Sequence, residues 1–153
     1  MLRYFRLIWI STAIFFFAAL ILSYAFLPER VGILADEEGI ANEFVSKETF
    51  FYSALAIFIV INLLGSFFLG ILTAVPETSG LYFNSENFKE SITSWFSSFI
   101  AIANVFLVTA TLYVSLYNNQ SDYTIDEFNF LIYVAPLLLV VSLVWLVFVI
   151  ARR

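Results

Sequence analysis

The chain contains no cysteine and no histidine, and Met1 is its single methionine. Without cysteine it has no disulfide, no thiolate nucleophile and no zinc–thiolate site. Without histidine it loses the commonest general base, the usual pH sensor and the usual haem ligand. No cofactor is expected on these grounds. Charge is scarce too, with seven basic and twelve acidic side chains in 153 residues. None of them falls within Leu7 to Pro28, Thr49 to Pro76, Ser91 to Ser121 or Phe128 to Ala151. Proton pumps and ion-coupled carriers place ionisable groups along their path, so these windows argue against that chemistry. Scattered bases and a net charge of −5 leave no nucleic-acid surface. No nucleophile is paired with a base. Asp36-Glu37-Glu38-Gly39 also lacks the spaced ligands and terminal Glu of a calcium loop, so neither an enzyme nor a metal site is expected.

What is present is hydrocarbon: 62% of residues are hydrophobic and mean hydropathy is +0.96. A small soluble domain could not hide so much. Each charge-free window supplies the roughly 20 apolar residues that span a bilayer as helix. The runs are continuous rather than alternating, which favours helices over a barrel. The expected fold is all-α: a polytopic four-transmembrane-helix bundle forming a single integral membrane domain over residues 1–153. Its spans are placed at 7–27, 50–75, 95–117 and 130–151, with an outer loop at 28–49. Ser23-Tyr24-Ala25 imitates a signal-peptide cleavage site, but the apolar run before it exceeds the length of a signal core.

Lys and Arg near helix ends favour the cytoplasmic side. Arg3, Arg6, Lys89, Arg152 and Arg153 fall on one side, against Arg30 and Lys47 on the other, so both termini are expected to be cytoplasmic. Trp9, Trp95 and Trp145 lie toward the inner boundary and tyrosines such as Tyr24, Tyr52 and Tyr117 toward the outer, as interfacial aromatics do. Most acidic residues are then outside.

Proline and glycine are few, three and five, and each is informative. Pro28 and Pro76 should end the first two helices. Pro136 should kink the fourth, as a hinge or as a tolerated membrane proline. Thr124-Ile125-Asp126-Glu127 matches a capping box that would open that helix. Gly65 lies on the second helix, where Ser66-x-x-x-Gly70 predicts a face for close helix packing. Ser94, Ser97, Ala101 and Asn104 form a stripe on the third. Asn62 and Asn104 are the strongest polar side chains in the windows. Each needs a partner in hydrocarbon, and they serve either as interhelical hydrogen bonds or as a polar pocket for a ligand or lipid headgroup.

The outer loop has the most individual sequence. Its aliphatic residues Val31, Ile33, Leu34, Ile40, Phe44 and Val45 alternate with charges, so it should fold against the mouth of the bundle. Arg30, Asp36, Glu37, Glu38 and Gly39 are its candidate binding residues: an acidic surface steers cations and cationic peptides, or is simply solvated. Through Leu27, Pro28, Arg30, Val31, Gly39, Ser46 and Lys47 the chain resembles a bacterial membrane-domain family of unknown function found in SdpI-type toxin-immunity proteins. It departs from that family's usual His and Asn before the glycine, having Ala35 and Asp36. The resemblance implies a small bacterial inner-membrane protein, in some relatives protecting against a peptide toxin or relaying its presence. It implies no catalytic residue. The expected partners are membrane lipids and a peptide or membrane protein. Two alternatives stand beside this reading, an accessory subunit of a larger membrane complex and a small channel or transporter component.

Overall fold

A computed structural model of the chain describes residues 2–35, 40–76, 85–119 and 128–151. Four helices, α1 (Leu2–Phe26), α2 (Lys47–Ala74), α3 (Glu86–Tyr117) and α4 (Phe130–Ala151), are each long and apolar enough to cross a membrane. The protein is a multi-pass integral membrane protein built as a four-helix bundle. Many large apolar side chains, among them Phe15, Leu63, Phe67, Leu137 and Val147, point outward, the arrangement expected when the solvent is lipid rather than water.

α2 and α3 run past the charge-free windows. α3 begins at Glu86, nine residues before the expected Trp95, because Ser85 caps it by accepting a hydrogen bond from the Phe88 amide at 3.2 Å. At about 1.5 Å per residue, its 32 residues reach well beyond a hydrocarbon core about 30 Å thick. Its first turns therefore carry charge outside the membrane. α2 opens on Ser46, which accepts from the Thr49 amide at 3.1 Å, and stops at Ala74, two residues before Pro76. Lys89 of α3 donates to the Thr73 and Val75 carbonyls at 3.1 and 2.7 Å. A cation thereby meets the negative end of the α2 dipole.

The segment between α1 and α2 is more ordered than a loop. Arg30–Ala35 (β1) and Ala41–Ser46 (β2) pair as an antiparallel hairpin, with Val31 opposite Val45 and Gly32 opposite Phe44. Residues 28–49, expected as a loop, are thus partly strand; no two-residue period announces it, since Val31 and Gly32 are both buried, Ile33 and Leu34 both exposed, and the pairing shifts register between Gly32 and Ala35. The expected capping box at 124–127 and the acidic cluster at 36–39 lie outside the described residues.

α3 is the hub of the bundle. It packs most extensively on α1, then on α4 and α2, whereas α1 and α2 meet through long side chains, with their backbones rarely close. The apolar core joins Phe16 and Leu20 of α1, Phe58 of α2 and Leu107 of α3. Phe16 and Phe58 stack at 4.4 Å, and Phe17 meets Phe58 edge-on at 5.0 Å, both favourable aromatic geometries. α4 packs chiefly on α3. There the Trp95 indole donates to the Ser142 carbonyl at 2.8 Å, and Trp145 stacks on Phe5 of α1 at 5.3 Å.

Candidate functional site

Within the membrane, Asn62 and Asn104 find each other. Asn62 donates to Oδ1 of Asn104 at 2.8 Å, and Asn104 donates back to Oδ1 of Asn62 at 3.2 Å. Asn104 is fully buried. The pair is completed from α1, where the Trp9 indole donates to Asn62 Oδ1 at 2.7 Å and Thr12 Oγ1 accepts from Asn104 at 3.5 Å. Asn62 also donates to the Phe58 carbonyl at 2.9 Å, and Thr12 donates to the Trp9 carbonyl at 2.8 Å. Three helices are thus pinned at one level by a network that meets the needs of both amides.

The sequence gives Trp9 the look of an interfacial aromatic, yet its N–H is directed into the bundle. Thr12 was not singled out at all. The signal was their spacing: Trp9 and Thr12 lie three apart and so share a face of α1.

The small residues divide differently from the expected Ser66/Gly70 face. Gly65 is buried, and a Cβ there would lie 2.7 Å from Ile100 Cδ1 and 2.9 Å from its Cγ1. The bare backbone at Gly65 is what admits Ile100. A Cβ at Gly70 would meet nothing within 4 Å, and Ser66 is exposed with its hydroxyl turned back to the Asn62 carbonyl at 2.7 Å. The α2–α3 seam therefore passes through Gly65, one position from the face that motif spacing selected. On α3, Ser94, Ser97, Ala101 and Asn104 are all buried along one stripe. Pro136 is exposed inside α4, beside buried Ala135.

At the hairpin end, Asn118 just beyond α3 acts as a third strand in miniature. The Gly32 amide donates to its Oδ1 at 2.7 Å, and its Nδ2 donates to the Gly32 carbonyl at 3.0 Å and to the Val114 carbonyl at 2.8 Å. Glycine is required at this point: a Cβ on residue 32 would lie 2.7 Å from Ala41 Cβ and 3.4 Å from the Tyr117 ring. Val31 is fully buried and Leu27 nearly so, which seats the base of the hairpin on the bundle. Lys47 donates its amide to the Glu29 carbonyl at 3.1 Å and places its ammonium 4.7 Å from the centre of the Tyr24 ring. Arg30 sits 5.5 Å over Phe44. Both basic residues of the hairpin region are thus engaged by aromatic faces, while Glu29, Glu43 and Glu48 are exposed. Asp36, Glu37, Glu38 and Gly39 lie outside the described residues.

Among the described residues no group of three or more His, Cys, Asp or Glu is placed to hold a metal ion. Two polar clusters therefore stand out, the asparagine pin inside the membrane and the acidic hairpin at its edge. The pin is closed on itself, while the carboxylates of Glu29, Glu43 and Glu48 around the hairpin are exposed. No protein family, characterised protein or solved structure matches the chain.

Proposed function

We propose that this is a non-enzymatic binding protein of a bacterial inner membrane, with both termini cytoplasmic and the hairpin outside, which captures a cationic or amphipathic peptide as a sensor or toxin-immunity protein does. The observation that supports the reading is the hairpin itself, held to α3 through Asn118. In an antiparallel pair, residues alternate between facing the partner strand and facing away. Gly32 faces away and is taken by Asn118, so Phe44 opposite it presents its backbone to the free edge of β2. That edge pairs with no strand among the described residues. An open edge accepts an extended peptide by backbone hydrogen bonds. Exposed Glu29, Glu43 and Glu48 in and around the hairpin favour a cationic one.

The test is titration of a synthetic lysine-rich amphipathic peptide onto the protein in nanodiscs. Affinity should fall as salt rises. It should fall further when Glu29, Glu43 and Glu48 become Gln, and again when Asp36, Glu37 and Glu38 become Asn or Gln. Affinity indifferent to salt and to both sets of substitutions ends this reading.

A second reading, an accessory subunit of a membrane complex, is favoured by the face of α2 that carries Ser66 and Gly70, which at Gly70 packs against nothing among the described residues. Small residues permit close approach of another helix. Native purification with crosslinking from this face separates the readings, since a fixed stoichiometric partner supports the subunit.

A further inference from the structure

The free edge of β2 has a register as well as a charge. Residues of an antiparallel pair turn toward and away from each other alternately. The Lys47 amide turns inward to the Glu29 carbonyl, so Ser46 and Phe44 turn out, in agreement with Gly32 opposite Phe44, which is taken by Asn118. Ser46 caps α2, and a capping residue gives its carbonyl to the first turn of its helix. That leaves the edge the Phe44 amide, the Phe44 carbonyl and the Ser46 amide. β2 is regular here, because the irregularity between Gly32 and Leu34 gives the extra residue to β1, so its side chains alternate between faces. Phe44 shares a face with Arg30, whose guanidinium lies 5.5 Å from the centre of the ring, and is still 49% exposed. Glu43 and Val45 point to the other face, Glu43 exposed and Val45 half-buried opposite Val31.

We propose that this edge takes an antiparallel peptide strand carrying, from N- to C-terminus, an apolar β-branched residue, an aromatic residue and a Lys or Arg; the proposal rests on the reading of the protein as one that captures peptides. The aromatic residue lies opposite Phe44 and exchanges both backbone hydrogen bonds with it, which only antiparallel pairing allows between one pair of residues. Its ring meets Phe44 on the side that Arg30 leaves open. The Ser46 amide donates to the carbonyl two residues before the aromatic one. An antiparallel partner runs the other way, so the residue after the aromatic faces Glu43 and the residue before it faces Val45. Charge fixes this register, since a cation opposite Phe44 meets Arg30, whereas one residue along it meets Glu43. A slip of one residue moves every side chain to the wrong face.

Calorimetric titration of capped peptides onto the protein in phosphatidylcholine nanodiscs tests this. Thr-Ser-Val-Phe-Lys-Ser-Thr should bind about fivefold more tightly than Thr-Ser-Lys-Phe-Val-Ser-Thr, which has the same composition and charge but the wrong cross-strand neighbours. N-methylation of the peptide's Phe amide removes the hydrogen bond to the Phe44 carbonyl and should weaken binding about tenfold. N-methylation of its Lys amide, which points away from β2, should change affinity by less than about twofold. Glu43→Gln should cut the preference between the two orders to about twofold. The methylated peptides read the pairing on the unaltered protein, so the test stands even if that variant does not fold. Equal affinity for the two orders, tighter binding of the Lys-Phe-Val order, or equal effects of the two methyl groups overturns the proposal. Salt-dependent binding of the lysine-rich peptide with none of either short peptide also overturns it and leaves capture by charge standing, whereas no binding by any of the three ends both.

Discussion

α3 and α4 are both apolar enough to cross a membrane, yet they occupy opposite positions in the bundle. α3 buries nine residues, including Thr93, Ser94, Ser97 and Asn104, whereas α4 buries only Ala135 and Ser142. The difference lies in the small polar residues. Lipid is as apolar as leucine, so an apolar surface gains little by turning inward, and helices associate through close packing and interhelical hydrogen bonds. α3 offers serine, threonine and asparagine on one side, and they face its neighbours. α4 offers almost none, and most of its surface is left for lipid. In water the more hydrophobic helix would be the buried one; here the order is reversed.

Substitutions that exchange the characters of the two helices should break this contrast. The largest effect is expected at the α2–α3 seam, where Gly65→Leu drives a side chain into Ile100 and should cost about 1–3 kcal/mol in reversible unfolding from bicelles. Gly70→Ala, in open space on the same helix, should gain up to about 1 kcal/mol from helix propensity. If the two change stability equally, the seam is misplaced. Asn104→Leu should follow, at about 1–2 kcal/mol. In a double-mutant cycle with Asn62→Leu the losses should be less than additive, because each amide already lacks its partner once the other is gone. Val140→Ala on the exposed side of α4 should stay within about 0.5 kcal/mol, and a larger loss there would show that α4 is not the peripheral helix. Asn118→Ala should cost about 1 kcal/mol in global stability. Its signature is local: the Gly32 amide should lose hydrogen-exchange protection while the centre of α3 keeps it.

The helices were legible because a span needs only a sustained absence of charge, which the sequence displays directly. Asn62 and Asn104 were legible for the same reason, as amides where hydrocarbon tolerates none unpaired. The buried stripe on α3 follows from helical spacing. Gly65 was not separable from Ser66 and Gly70 by motif, because small-x-x-x-small spacing identifies a helix face without saying which neighbour approaches it. The hairpin was hidden by its shortness, since two six-residue strands between long helices read as loop. Asn118, 86 positions from Gly32 in sequence, carries no local signal of its role.

By itself the sequence determined that this chain lives in a membrane, crosses it four times and brings no Asp, Glu, Lys, Arg or His into its spanning windows. Those properties are sums over residues and their solvent, independent of which helix meets which. Only the tertiary structure decided that α3 is the hub, that Trp9 and Thr12 complete the asparagine pair, that Asn118 fastens the hairpin and that Ser94 is left without a partner. Each of these depends on atoms brought within about 3 Å across long sequence separations, where a hydrogen bond exists or fails by geometry that composition does not contain.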